Sequence, residues 1–597
     1  MANKFAKERK MSTSSGNLKS VSLFAIVLFM VLMVAYRRNS TTSTTVYSVF
    51  GVASNYQIIK AITWNIAAIN NNPFEYWITN KDVNYNRIMS DVSAFIDSPG
   101  DNDIPIKQIF SDKMFSELEE SMTAAGWTGV AETRNQWESN YKDRKAITEF
   151  IKDSVLGKKR LASMPDRVTN TINTADGKVV MRPSVINCYN DGDLSSLDKW
   201  WTQWREFMFV KEITVRKHGS EKVGRISSMI SKIKRSKYPS ITAEEEEISI
   251  PLQTMCAAIF DAILVYMMNK IDDKSWQPMR EDMCNKLNRR KNDRTIEILE
   301  TSYATADVQF LQEVANSFAD SAKNKAISNM FDIVSPATMD ADRDQNSFIL
   351  LKKGMFRDIS EVTEEVLKEL DSTKQVPIAN GDLLALTAVN IENGSKYLLA
   401  SFHGDTNGLA TVPIVTAMHQ YAMTKRPDHK LLFGMDANTY DKPESDQQGM
   451  VEFAEFYRSK KLNSCYGPTP NPKNFTTFHA RTHLQPQLNK AVRLEEKDTK
   501  GDKNPKDFIV FFATDFTVLS TKKDNTGDIK YIENMVFPTL SFPSDHGVTS
   551  TVLIEETAAG SSRKDHSSDL KNDLEEDRNV LSVRREGKQR LRSGGAT

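Results

Sequence analysis

The sequence predicts an α/β sandwich that carries a large helical insertion and an N-terminal transmembrane helix. Three observations carry that reading. From about residue 303 onward, apolar runs of strand length recur in series with helix-like stretches between some of them, the pattern of layered sheets and helices. The stretch 76–299 instead reads as mostly helical, with charged segments and few alternating runs. Near the N-terminus, Ser20–Tyr36 (SVSLFAIVLFMVLMVAY) contains no charged residue. A chain of 597 residues also exceeds what one ordinary core accommodates, so an insertion or a second domain is expected on length alone.

The N-terminal elements follow in order. Residues 1–19 are basic, with Lys4, Lys7, Arg9, Lys10 and Lys19 against Glu8. The apolar run 20–36 is at the short end for a membrane span and longer than most signal-peptide cores. Arg37 and Arg38 close it, and no small-x-small cleavage site follows, which favours a retained anchor over a removed signal. The heavier basic count on the N-terminal side puts that end in the cytosol and the bulk of the chain on the lumenal or extracellular face. Residues 37–50 form a Ser/Thr-rich stem, and sequons at Asn39, Asn393 and Asn474 agree with that topology.

Tyr56–Ile66 reads as a buried strand. Within 76–299, Leu252–Met268 is nearly all apolar but contains Asp261. A core helix and a second span both fit, and the mid-run carboxylate favours the core helix. Arg205–Lys237 holds ten Lys/Arg and is followed by Glu244–Glu247. It reads as a solvated helical face, with a polyanion or membrane-surface patch as the alternative. Trp200, Trp201 and Trp204 read as packing residues. Strands are expected at Asp307–Leu311, Phe348–Lys352, Leu383–Val389, Tyr397–Phe402, Lys430–Phe433, Asp507–Phe512, Phe516–Leu519 and Val548–Ile554. Helices are expected at Ile359–Leu370, Ile414–Met423 and Met450–Lys460. The polar, aromatic-free tail 557–597 is expected to be disordered.

Composition excludes several classes. With 78 basic and 78 acidic side chains the chain is no globally basic nucleic-acid binder, so any polyanion must be recognised locally. Cys188, Cys256, Cys284 and Cys465 are widely spaced without a CxxC pair, which argues against a cysteine zinc site and a disulfide scaffold. No G-x-S-x-G elbow, P-loop, dinucleotide fingerprint or HExxH pair appears.

Six short motifs remain: TWNI (Thr63–Ile66), LQEV (Leu311–Val314), SFHGD (Ser401–Asp405), MDAN (Met435–Asn438), KDFIVF (Lys506–Phe511) and SDHG (Ser544–Gly547). In this order, each beside a strand-like run, they resemble the endonuclease/exonuclease/phosphatase superfamily. The resemblance spans 51–75 and 300–556 and makes 76–299 an insertion. It implies a DNase I-like, four-layer sandwich of two mixed β-sheets flanked by helices, and metal-dependent hydrolysis of phosphoester bonds. Such chemistry requires charge neutralisation on the phosphoryl oxygens, an activated water and protonation of the leaving oxygen. Mg²⁺, with Mn²⁺ as the alternative, suits a site of a few oxygen ligands.

By resemblance, Glu313 is the principal metal ligand, with Asn65 as its partner and Asp545 near the metal. His546 contacts the scissile phosphate, and an imidazole oriented by a carboxylate can act as base or donor. His403 matches a second family histidine. Asp436 aligns the attacking water and Asn438 binds the phosphate; two residues apart on an extended segment, they share a side. Here Met435 stands where the family has Gly, with Gly434 one place earlier. Asp507 is expected to orient a histidine although Pro505-Lys506 replaces the usual Arg, and Asp515 is the alternative. Arg481, flanked by His479 and His483, is a candidate for a second phosphate, or simply a surface residue. Asp405 and Asn407 have no assigned role. The substrate classes left open are nucleic acid, slightly favoured, and phospholipid or inositol phosphate, with a catalytically inactive scaffold as the third reading.

Overall fold

The computed structural model describes residues 57–189, 192–217, 220–339, 345–478, 484–485 and 501–556. The basic N-terminal segment, the anchor run, the stem, the C-terminal tail and Arg481 lie outside the described residues. Strands are numbered β1 (Gln57–Asn65), β2 (Thr171–Asn173), β3 (Val179–Met181), β4 (Glu212–Lys217), β5 (Ser220–Arg225), β6 (Val308–Val314), β7 (Phe331–Val334) and β8 (Asn346–Lys352). They continue as β9 (Phe356–Glu361), β10 (Leu383–Asn390), β11 (Lys396–His403), β12 (His429–Asp436), β13 (Leu462–Ser464), β14 (Asp507–Phe512), β15 (Phe516–Asp524) and β16 (Val548–Glu555).

Two six-stranded mixed sheets form the sandwich, in the orders β15-β16-β1-β6-β8-β7 and β13-β14-β12-β11-β10-β9. Each has a parallel pair at its centre, β1 with β6 and β11 with β12, flanked by antiparallel pairs such as β6 with β8 and β12 with β14. The strands alternate apolar side chains between two faces. Ile59, Phe310, Ile349, Leu399, Leu432 and Ile509 fill the space between the sheets. Ile62, Trp64 and Leu311 face Ile296, Leu299 and Phe318 on one outer side. Leu398, Phe433 and Val510 pack under the helices Thr411–Thr424 and Met450–Ser459 on the other. The architecture is therefore α/β with two mixed sheets and covering helices, consistent with a DNase I-like fold.

Gly434 shows why the chain tolerates its shifted glycine. A Cβ there would lie 2.4 Å from the Phe310 ring of the facing sheet, so the missing side chain lets that ring fill the inter-sheet core. Met435 points the other way, into the helix-covered layer.

Between β1 and β6 the chain builds a second, helical core. Its spine is the helix Ser249–Asp272, buried against Trp200, Trp201 and Trp204 and against Phe95, Phe115 and Trp137. Among the described residues it is the one helix long and apolar enough to cross a membrane, and it is a core helix. Asp261 at its middle is fully buried. It accepts from Arg182 Nε at 2.8 Å, Ser184 Oγ at 2.7 Å and Trp204 Nε1 at 3.0 Å. A buried carboxylate persists only when paired in this way. The flanking helices start on side-chain caps: Asp82, Ser111, Ser196, and Thr242 in a capping box with Glu245.

Two expectations need correction, and three short strands were not anticipated. Most of Arg205–Lys237 is not a helical face: β4 and β5 pair as a hairpin from Glu212↔Arg225 to Lys217↔Ser220. Its charges sit on a two-stranded ribbon whose second strand is almost wholly exposed. Ile359–Leu370 is not one helix, because β9 occupies its start and only Thr363–Leu367 is helical. β9 pairs with β10, and that ladder overrides local helix propensity. The short strands β7, β9 and β13 went unread; all three lie at sheet edges, where few apolar residues are required.

Candidate active site

Strand register assembles the site. In the second sheet His403 ends β11 opposite Asp436, which ends β12, and Asp436 lies opposite Asp507, which begins β14. In the first sheet Asn65 ends β1 opposite Gln312, and Glu313 follows on β6. His546 precedes β16, next to β1 in the sheet order. Six of the residues read from the motifs thus meet at one end of the paired sheets.

The contacts are direct. Asn65 Nδ2 donates to Glu313 Oε1 at 3.0 Å and to Asp436 Oδ2 at 2.8 Å, joining the two sheets. His403 Nε2 lies 3.3 Å from Glu313 Oε1 and 3.8 Å from Asp436 Oδ2. His546 Nδ1 lies 2.9 Å from Asp507 Oδ2, and its Nε2 lies 3.6 Å from Asp436 Oδ2. Asp507 therefore orients the imidazole and aims Nε2 at the centre. Trp64 Nε1 holds His546 O at 2.9 Å, while Ser544 Oγ donates to Asn65 O at 2.6 Å. Asp515 sits at the turn from β14 to β15, beyond the opposite end of β14 from Asp507, and takes no part.

Backbone strain marks the same place. Ala67, Glu313 and Asn438 have φ of +56°, +54° and +47°. Non-glycine residues seldom adopt this region, and it persists where surrounding contacts overdetermine it. Ala68 N bonds Glu313 Oε2 at 2.8 Å, and Asn438 N bonds Asp436 Oδ1 at 2.9 Å, so each kink fixes a carboxylate. Asp405 and Asn407 gain a role here. Asp405 accepts from Asn407 N and Ala410 N and shapes the turn through Gly408. A Cβ on Gly408 would come within 2.6 Å of Asn438 O.

Electrostatics follow from burial and neighbours. Burial works against the charge on Glu313, but His403, the Asn65 amide, Ala68 N–H and His546 outweigh it and hold the carboxyl below its ordinary value. Asp436 is likewise held down against burial by His546, His403 and Lys506. His546 is raised well above the ordinary imidazole value, because Asp507, Asp436 and Asp545 outweigh its desolvation. Burial pushes Asp545 up.

Lys506 was missed as a site residue although it opens the KDFIVF motif. Its buried Nζ donates to Asn438 Oδ1 at 3.0 Å and pairs with Asp502 at 2.7 Å. Lys291 was missed as well; nothing in its local sequence distinguishes it from surface lysines, yet it is buried and donates to Ala67 O and Ala68 O.

Two groups bring donors within 4.8 Å of one another: Glu313, His403 and Asp436, and Asp436, Asp507 and His546. The His403 Nδ1 atom is buried without a hydrogen-bond partner among the described residues. Carboxylate oxygens and imidazole nitrogens on separate strands make a donor set that fits a divalent cation. Asp545 belongs to neither group, and Asn65 presents its NH₂ to the carboxylates while Ala67 N occupies its oxygen. Beside Glu313 and Asp545 opens a cavity of about 720 Å³ whose lining includes Asp166, Arg167, Asn170, Ile186 and Met283 of the insertion.

A family described as a domain of unknown function (DUF8234) matches residues 103–281, within the helical insertion. No curated protein matches the chain. Among solved structures, the chain is similar to the human Nocturnin catalytic domain with bound sulfate anion, at 13% identity over 46% of this chain and 89% of that one, TM-score 0.30. It is similar to D. rerio TDP2 complexed with single-strand DNA product, at 14% identity over 44% and 91%, TM-score 0.29. It is also similar to an endonuclease/exonuclease/phosphatase from Bacteroides vulgatus, at 12% identity over 46% and 94%, TM-score 0.31.

Proposed function

We propose that the chain is a divalent-metal-dependent phosphoesterase, with Mg²⁺ as the first metal to test. The observation that carries this reading is the meeting of Glu313, Asp436, His403 and the Asp507–His546 pair at one end of two sheets. Glu313 would hold the cation, with Asn65 fixing its separation from Asp436. When bound, such an ion polarises a phosphoryl oxygen and neutralises developing charge.

The protein's own groups supply the rest. His546, oriented by Asp507, donates through Nε2 to the phosphoryl group. Asp507 holds its tautomer and orientation. Asp436 Oδ2 accepts from the attacking water, and Asn438, anchored by Lys506, fixes the phosphate beside it. The strained backbone at Glu313 and Asn438 keeps these groups in place before substrate arrives.

Full-length protein with bis(p-nitrophenyl) phosphate provides the test. Turnover should require added Mg²⁺ or Mn²⁺, stop with chelator, and fall by about 10³-fold in Glu313→Gln. Metal-independent turnover, or full activity in that variant, overturns the reading. A further part of the proposal is that residues 20–36 anchor the chain with its bulk on the lumenal or extracellular face. Asn393 lies exposed on the turn between β10 and β11. Glycosidase-sensitive glycan at Asn393, lost in Asn393→Gln, is the expected outcome; an unmodified Asn393 in secretory membranes argues for the opposite orientation.

A further inference from the structure

The cavity beside the reactive centre is lined both by Glu313 and Asp545 and by residues of the insertion helix Ser163–Thr169. Its volume of about 720 Å³ lies within the range of sites that enclose a nucleotide-sized ligand, about 300–1,000 Å³. Ile186, Met283 and Leu287 give part of the wall an apolar face.

The charged groups away from the reactive end are almost all committed. Asp166 accepts from Arg182 Nη2 at 2.7 Å. Lys291 donates to Ala67 O and Ala68 O at 2.7 and 2.6 Å, and burial pushes it down to about 8. Glu75 is pushed up by burial and accepts from Gln485 Nε2 at 2.9 Å. Arg167 differs: it is exposed, it lines the cavity, and it has no ion pair or hydrogen bond among the described residues. An unpaired guanidinium in a concave wall is a fork for an oxyanion, since its geometry matches phosphate bidentately.

We propose that the insertion completes a specificity subsite in which Arg167 binds a second anionic group of the substrate. The reacting phosphoester lies at Glu313, and the apolar wall takes the ring between the two anions. The inference rests on the phosphoesterase reading for which end reacts. It narrows the substrate to a ring-bearing molecule with two phosphates, whose chemistry a nucleoside and a cyclitol share. Sequence pattern alone places nothing at Arg167, because an exposed arginine on a short helix carries no signal until the fold brings it to the same cavity as Glu313.

Equilibrium titration separates binding from turnover. In full-length His546→Ala protein, which keeps the Glu313 carboxylate, and with Mg²⁺ present, adenosine 3′,5′-bisphosphate is compared with adenosine 5′-monophosphate, and inositol 1,4-bisphosphate with inositol 1-phosphate. In one of the pairs the bisphosphate should bind about tenfold tighter or better. Adding Arg167→Glu should erase that preference, and Arg167→Lys should retain part of it. The pair that shows the preference identifies the ring. Equal affinities in both pairs, no binding of either bisphosphate, or a preference that survives Arg167→Glu overturns the inference. Hydrolysis of bis(p-nitrophenyl) phosphate by the unaltered protein decides the phosphoesterase reading separately, so failure of one is distinguishable from failure of the other.

Discussion

The sandwich and the helical insertion both bury charge, and they do so on opposite terms. In the insertion, Arg182 is matched by Asp261 and Asp166, and Ser184 and Trp204 complete the shell of Asp261. Each charge of that cluster has a partner, and the cluster is inert. At the sandwich end, Glu313, Asp436, Asp507 and Asp545 gather around His403, His546 and Lys506, the His403 Nδ1 atom lacks a partner among the described residues, and three non-glycine residues sit at positive φ. A buried charge cluster that is satisfied specifies a fold; one left acidic and strained is poised for a ligand.

The comparison breaks first on activity. His546→Ala should lower kcat/KM for the phosphoester substrate by about 10⁴-fold, near 5.4 kcal/mol, while the cooperative thermal transition survives. A variant retaining a tenth of the activity would mean that the Asp507–His546 pair is structural, like its counterpart in the insertion.

The converse applies to Asp261→Asn. It leaves Arg182 buried beside a neutral amide and should cost about 3–5 kcal/mol of stability. Per folded molecule, turnover should change little, because Asp261 lies in a separate core. Denaturant unfolding beside active-site titration measures both quantities. A stability loss below about 1 kcal/mol would show that the cluster is not holding the insertion together.

Gly434→Ala probes the sandwich by packing alone. The new methyl would press on Phe310 across the inter-sheet core, and overpacking of this kind costs about 1–3 kcal/mol. Because Gly434 lies two residues before Asp436 on β12, a shift there should also lower kcat while leaving metal affinity intact. Phe310→Leu in the same chain should recover part of the loss. No recovery would place the strain elsewhere.

Legibility in the sequence followed the same division. The core strands could be read because they are apolar on both faces, and the six motifs could be read because a strand end confines its chemistry to two or three adjacent residues. Glu313, Asp436, His403 and His546 were visible for that reason. Lys506 was readable only as a departure from a pattern, and Lys291 and Arg167 not at all, since their placement depends on contacts across more than a hundred residues of chain. The β4–β5 hairpin was misread because its charges dominate composition while few of its residues need burial. Asp261 was interpretable in advance: a lone carboxylate inside an apolar run signals a buried partner, although only the fold names Arg182.

That hairpin sets the smallest expected effect. Arg216 and Glu221 pair at 3.1 Å, with side chains 64% and 58% exposed. Exposed pairs of this kind contribute about 0–1 kcal/mol. Reversing Arg216 and Lys222 to Glu should therefore leave the thermal midpoint and the turnover of a small phosphoester unchanged. The same double variant also sharpens the question of substrate. If the protein acted on long nucleic acid lying along this ribbon, reversal would weaken binding and flatten its dependence on salt, by about one unit of slope for each phosphate no longer neutralised. A compact substrate held between Glu313 and Arg167 predicts no change in salt slope at all. The hairpin is then a solvated edge of the insertion, and the charge that matters for recognition lies inside the cavity.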